Sequence, residues 1–187
     1  MQQGEKIVVR GDIRVDQLSH VEFEKKKKIV FENSFGGTYA AAKYYIEIIK
    51  KYKLSTIVNG KWYSACALAF LAGRERTVES ASGVISAISF HSGRVVVNGS
   101  ARAFDKNERL ISLISELTDG KMSKNILALI KDSWSESSGV IFIIYPSFIF
   151  SRTKTIYCDG SQGFDTSKCV ALSDADPVDM GVLTSVP

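Results

Sequence analysis

NSFGG at residues 33–37 and GKWYSA at residues 60–65 are the two stretches that decide the fold of this chain. Each stretch follows a short run of apolar, largely β-branched residues and precedes a segment with helical spacing of apolar residues. The pattern therefore predicts two consecutive strand–turn–helix units. Close alternation of strands and helices favours a parallel sheet, in which the loops that follow the strands lie at one edge.

The remaining periodicity extends this pattern along the whole chain. Helical spacing predicts helices at residues 21–28, 38–51, 64–72, 107–117 and 123–130. Short apolar runs predict strands at residues 7–13, 29–32, 55–58, 83–90, 140–145, 148–150 and 155–158. Residues 94–98 are expected to form a hairpin with the strand that ends before His91, and residues 174–183 a short closing element. No linker or internal repeat interrupts the chain, so we predict one α/β domain over residues 1–187.

Composition excludes several classes of protein. The 187 residues are 45% hydrophobic and 24% charged, with a net charge of +4, which is ordinary for a globular domain. The lysines at residues 25–28 and 50–53 flank strands without interleaved aromatic side chains, so no nucleic-acid partner is expected. No stretch reaches the ~18 to 20 apolar residues of a membrane span, so no membrane span is expected.

The three cysteines indicate neither a metal nor a cofactor. Cys158 and Cys169 bracket a polar loop that contains glycine, and either a disulfide or two reduced thiols would fit that spacing. Two such ligands without a nearby histidine make zinc an unsuitable occupant. Cys66 lies in an apolar helical segment, which is typical of a buried thiol. We expect no metal and no cofactor.

A glycine turn at residues 36–37, the serine Ser64 and the histidine His91 follow successive predicted strands. Together they are the parts of an acyl-transfer site. Ser64 stands at a predicted helix N-terminus, where free N–H groups favour a developing anion. The N–H groups of Ala65 and Gly37 would hold this oxyanion, and Gly36 leaves room for a substrate backbone. Each part also has a structural reading, because serine is a common helix N-cap and a histidine such as His91 often has only a structural hydrogen bond.

The motifs resemble those of the Clp protease proteolytic subunit, within the wider Clp/crotonase superfamily. The family turn N-S-P-G-G corresponds to residues 33–37, with Phe35 in place of proline. The family pattern G-x-x-x-S, followed by an apolar helix that ends in A-G, corresponds to residues 60–73. The family C-terminus matches residues 172–183 loosely.

This resemblance implies a Clp/crotonase-like spiral of ββα units with a parallel sheet and an active site at the strand ends. It implies a serine hydrolase, most naturally a peptidase, that acts on a peptide or protein substrate. Ser64 would be the nucleophile and His91 the general base. The region between His91 and Cys158 departs from the family, so we expect a homo-oligomer smaller than the family's seven-membered ring.

The third member of the catalytic triad is the weakest part of the match. The family's aspartate falls on Cys169, and a thiol cannot orient and stabilise a histidine as a carboxylate does. Asp165 is our candidate for this role, Asp132 is a second candidate, and a site without an acid is a third alternative.

The sequence Ser64-Ala65-Cys66 is similar to an exported bacterial branch of the superfamily that often shows C-x-S-A-C. Trp62 stands where that branch has its first cysteine. The similarity predicts a periplasmic or otherwise exported protein, with a cytoplasmic one as the alternative, since the first residues carry no apolar signal region.

Two rival functions remain. A binding or scaffold protein that keeps the fold without catalysis is favoured by Cys169 at the triad position. A crotonase-like acyl-CoA enzyme would use the two N–H donors for a thioester enolate. Few residues support the acyl-CoA function. No glutamate that could act as an acid or base closely follows the glycine turn, and Glu32 precedes it.

Overall fold

A computed structural model describes residues 5–79, 85–98, 100–103, 107–135, 137–145, 152–163 and 165–186. The chain divides into two compact units. The first consists of Met1–Ile88, Ile144–Arg152 and Leu183–Pro187, and the second of Ser89–Ile143 and Thr153–Val182. The assignment of the whole chain to a single domain stays a prediction.

The described elements form a mixed α/β structure. The strands are β1 (Lys6–Arg10), β2 (Lys28–Ser34), β3 (Ser55–Tyr63), β4 (Arg76–Val78), β5 (Ser86–Phe90), β6 (Arg94–Val97), β7 (Ser100–Ala103), β8 (Ser138–Tyr145), β9 (Arg152–Asp159) and β10 (Val170–Ala171). The α-helices are α1 (Tyr39–Lys51), α2 (Ala65–Leu71), α3 (Asn107–Leu117) and α4 (Lys124–Asp132). Short 3-10 helices occupy Val15–Leu18, Phe23–Lys25 and Thr166–Lys168. Among the described residues, no helix is both long and apolar enough to cross a membrane.

The first unit contains the predicted parallel strand–helix repeats. β1, β2, β3 and β4 pair in parallel, and β5 lies next to β3. Thr38 caps α1 by accepting a hydrogen bond from the Ala41 N–H at 3.1 Å, which explains why that helix begins at Tyr39. Every residue of α2 is buried, as its uniformly apolar sequence predicts. The prediction of parallel βαβ units is confirmed.

The second unit contains α3, α4 and an antiparallel pair of strands. Its strands follow the order β5, β8, β9 and β10, and β9 and β10 are antiparallel. Phe90 packs edge-to-face on Phe142, with ring centroids 6.1 Å apart. Ser123 caps α4 by accepting a hydrogen bond from the Ile126 N–H at 3.3 Å.

Several boundaries differ from the sequence-based predictions. The helix predicted at residues 21–28 is reduced to the 3-10 turn Phe23–Lys25. The backbone of Lys27 instead pairs with Glu5 and Ser55, and β2 begins at Lys28. β6 pairs with β7, so the hairpin at residues 94–98 does not form with β5. Residues 174–183 form turns, without a helix or strand. The strand predicted at residues 148–150 lies outside the described residues.

Cys158 and Cys169 form a disulfide bond, and Cys66 is a buried free cysteine. The disulfide decides between the two alternatives that the sequence left open for this pair. It joins the end of β9 to the residue that precedes β10.

Removing this disulfide is expected to lower the free energy of unfolding by about 3 kcal/mol, because the bond closes a short loop in the unfolded chain. The measurement is urea unfolding of the oxidised protein, the reduced protein and the Cys169→Ala variant. The reduced protein and the variant are expected to unfold at similar, lower urea concentrations. Equal midpoints for the oxidised and reduced proteins would contradict the prediction.

Candidate active site

The glycine turn after β2 has a backbone that requires glycine at two positions. Gly36 and Gly37 have φ values of +139° and +138°, which L side chains rarely adopt. A Cβ atom on Gly37 would lie 2.6 Å from the Ile13 carbonyl oxygen. The Ile13 N–H also donates a hydrogen bond to the Gly36 carbonyl at 3.0 Å. The turn is therefore held against the segment that follows β1.

Two amide groups near this turn are available as donors. Among the described residues, no hydrogen bond uses the Gly37 N–H, although the neighbouring Gly36 carbonyl is engaged. Ala65 is the first residue of α2, and the first N–H groups of a helix have no intrahelical acceptor. Both predicted oxyanion donors thus have an unused N–H in the first unit.

Ser64 has a strained conformation between β3 and α2. Its φ is +63° and its ψ is −125°, and its side chain makes no capping hydrogen bond to the helix. A non-glycine residue in such a region costs roughly 1–3 kcal/mol and is common at functional sites. A strained serine between a strand and a helix is the geometry of a nucleophile elbow. The structural reading of Ser64 as an ordinary N-cap does not hold.

Gly36 brings the glycine turn into contact with this serine. A Cβ atom on Gly36 would lie 3.3 Å from the Ser64 Cβ and 3.7 Å from its Oγ. The structure therefore brings together the first unit's predicted site residues Gly36 and Ser64, with Gly37 and Ala65 adjacent to them in sequence.

Cys66 lies close to Ser64 but is not a competing nucleophile. Its thiol donates a hydrogen bond to the Tyr63 carbonyl at 2.8 Å. Burial raises the pKa of the Cys66 thiol to about 12. The thiol is therefore protonated at neutral pH, and the reactive thiolate is scarce.

His91 directly follows β5 and belongs to the second unit, where it is half-buried. Its Nδ1 lies 2.7 Å from the Ser92 carbonyl oxygen. Because a carbonyl oxygen only accepts, Nδ1 carries the proton in this contact. A neutral ring in this tautomer has its lone pair on Nε2, which is the arrangement that a general base requires.

Ser92 holds that carbonyl in place. The N–H and the Oγ of this fully buried residue both donate to the Ser133 carbonyl, at 2.7 and 2.9 Å. Gly139 lies beside the same strand end, since a Cβ there would be 2.8 Å from the Phe90 carbonyl oxygen and 3.6 Å from the His91 Cβ. Sequence analysis missed Ser92, Ser133 and Gly139, because single small residues outside a motif carry no signal.

Both carboxylates proposed for the triad, Asp165 and Asp132, are exposed to solvent. Asp165 is exposed and accepts hydrogen bonds from the Ser167 Oγ and N–H at 2.6 and 3.1 Å. The hydrogen bond from the Ser167 side chain is the main cause of the lowered pKa of Asp165. Asp132 is exposed at the end of α4. Cys169, at the family's aspartate position, is bonded to Cys158.

The described residues contain no cluster of three or more histidine, cysteine, aspartate or glutamate side chains that would hold a metal ion.

Parallel strand–helix units carry the glycine turn and the strained serine at the strand ends, which is consistent with a Clp/crotonase-like α/β fold. Solved structures support this class: ClpP1 from Listeria monocytogenes superposes with a TM-score of 0.54 at 17% identity, covering 97% of this chain and 90% of that chain. A point mutant of ClpP1 from the same organism gives a TM-score of 0.55 at 19% identity, covering 98% and 91%. No family model and no curated protein matches the sequence. At these identities the likeness shows the fold alone.

Proposed function

We propose that this protein is a Clp-like serine hydrolase, and specifically a peptidase. One observation carries the proposal: Ser64 has a strained backbone, does not cap its helix, and lies against the glycine turn that offers an unused N–H. The resemblance of residues 33–37 and 60–73 to Clp protease motifs supports the same reading.

The proposed reaction uses four residues. The Ser64 Oγ attacks the substrate carbonyl carbon while His91 Nε2 takes its proton, and the Gly37 and Ala65 N–H groups stabilise the oxyanion. The C–N bond then breaks, and the leaving amine receives that proton. A water molecule attacks the resulting ester by the same route, which releases the acid and regenerates the Ser64 hydroxyl.

The Ser92 carbonyl, 2.7 Å from Nδ1, would help to orient His91. A carbonyl fixes the Nδ1–H tautomer, but it carries no full charge to stabilise the imidazolium that forms during attack. Asp165 stays a sequence-based candidate for the acid, and no step above depends on it.

The test is covalent labelling of the folded protein with a fluorophosphonate. In this reaction the Ser64 Oγ–P bond forms, the P–F bond breaks, fluoride leaves, and the serine proton passes to His91. Mass spectrometry of tryptic peptides is expected to place the adduct on Ser64. Heat-denatured protein serves as the control and is expected to stay unlabelled. Folded protein without an adduct would overturn the proposal.

A binding or scaffold protein is the second candidate. It is favoured by Cys169, which stands at the position of the family's aspartate and is bonded to Cys158. Retained peptide binding without fluorophosphonate labelling would support it.

The acyl-CoA alternative has less support, because Glu32 forms an ion pair with Arg10 at 2.6 Å. Calorimetry with coenzyme A tests that alternative, and heat of binding would favour it.

We also propose an exported location, because the disulfide favours an oxidising compartment. We further propose that this chain forms a homo-oligomer with fewer than seven copies.

A further inference from the structure

Phe35 is a large apolar side chain that is held in solvent. It is 77% exposed, more than the other exposed large apolar residues that the structure describes. Its ring is nearly parallel to that of Tyr63, with an interplanar angle of 3° and centroids 6.0 Å apart. A parallel arrangement at this distance is an offset stack, which leaves part of each ring free.

The backbone that carries this ring is fixed on both sides. The Phe35 N–H donates a hydrogen bond to the Asp12 Oδ1 at 3.0 Å. Ser34, which is buried, accepts a hydrogen bond on its Oγ from the Gly36 N–H at 3.2 Å. The exposure of Phe35 is therefore built into the turn, and a ligand that contacts the ring meets a preorganised surface.

Both rings are attached next to the nucleophile. Tyr63 directly precedes Ser64 in the chain, and Phe35 directly precedes Gly36, the glycine in contact with Ser64. All of these residues belong to the first compact unit. A substrate whose carbonyl carbon lies at the Ser64 Oγ would thus present its nearest side chains beside the two rings.

We propose that Phe35 and Tyr63 form a subsite for an aromatic or large apolar side chain of the peptide whose carbonyl Ser64 attacks. The inference rests on the proposed function for the identity of the ligand. Ring faces and edges contribute stacking as well as apolar burial, so this subsite discriminates an aromatic side chain from a methyl group.

The chemistry of Tyr63 fits a neutral ligand. Burial raises the pKa of the Tyr63 phenol, so the ring carries no charge at neutral pH. Neither ring of the pair therefore supplies a charge that would favour a basic or acidic side chain.

The experiment measures ligand binding without catalysis. Calorimetry compares N-acetyl-phenylalanyl-glycinamide with N-acetyl-alanyl-glycinamide on the Ser64→Ala protein. The aromatic peptide is expected to bind about ten-fold more tightly. Adding Phe35→Ala is expected to remove this preference, and adding Phe35→Tyr to preserve it. The matched control is Val170→Ala, since Val170 is another exposed apolar residue, at 63%, and this change is expected to leave the preference unaltered.

The outcomes separate the two proposals. Equal binding of the two peptides, or a preference that survives Phe35→Ala, would overturn the subsite even if Ser64 reacts with fluorophosphonate. A preference that depends on Phe35, in a protein whose Ser64 does not react, would support the subsite and overturn the hydrolase. Conversion of an oligomer to monomer by Phe35→Ala, in analytical ultracentrifugation, would assign the rings to a contact between copies and overturn the subsite.

Discussion

Replacement of Ser64 with alanine is expected to abolish fluorophosphonate labelling and to reduce peptide hydrolysis by at least about a thousand-fold. The hydroxyl is the only group that the substitution removes. Because the side chain makes no capping hydrogen bond to α2, the free energy of unfolding is expected to change by less than about 0.5 kcal/mol. Intact-mass measurement of the adduct and urea unfolding of the same samples check both parts.

A glycine at the same position separates reactivity from stability. Ser64 has φ +63° and ψ −125°, and glycine adopts positive φ without steric cost. Ser64→Gly is therefore expected to lose labelling as completely as Ser64→Ala. Its free energy of unfolding, however, is expected to be higher than that of Ser64→Ala by about 1 kcal/mol, so it unfolds at a higher urea concentration. Labelling that persists in Ser64→Ala would contradict the assignment of the nucleophile. A Ser64→Gly protein less stable than Ser64→Ala would contradict the strain.

Replacement of Gly37 with alanine is expected to lower the free energy of unfolding by about 3 kcal/mol or more and to abolish labelling. Two costs combine here: strain at a φ of +138°, and a Cβ 2.6 Å from the Ile13 carbonyl oxygen and 2.8 Å from the Ile13 Cγ1. To relieve the contact the turn must shift, and the proposed oxyanion donor, the Gly37 N–H, shifts with it. Urea unfolding and the rate of labelling measure the two effects.

Gly11 offers a matched control for that substitution. Its φ is +68°, and a Cβ there would meet no atom within 4 Å. Gly11→Ala thus adds backbone strain without a clash and is expected to cost about 1 kcal/mol while labelling continues. Similar losses of stability in the two variants would mean that the contact with Ile13 is unimportant. Full labelling of Gly37→Ala would remove Gly37 from the oxyanion site.

Much of the fold could be predicted because it is encoded locally. The apolar runs at residues 29–32 and 55–58 predicted strands, and helical spacing predicted α1, α2, α3 and α4 to within a few residues. The order of these elements was sufficient to predict parallel pairing of β2 with β3. Elements as short as β4 and β10 were missed, because two or three residues carry no periodicity.

Only part of the candidate site could be predicted from the sequence. The motifs identified Gly36, Gly37 and Ser64 as residue types suited to acyl transfer. They carried no information on the backbone angles of Ser64 or on the carbonyl that His91 contacts. The stacking of Phe35 on Tyr63 was likewise not predicted, since the two residues belong to different strand–turn–helix units.

The amino-acid sequence by itself determined the strand–helix alternation, the glycine turn and the residue types at the strand ends. Each of these follows from neighbouring residues, whose periodicity and φ preferences act over a few positions. The tertiary structure alone decided that Cys158 bonds to Cys169, that Gly36 lies against Ser64, and that the His91 ring contacts the Ser92 carbonyl. These contacts depend on the directions in which packed strands and loops leave the core, and a linear pattern does not encode those directions.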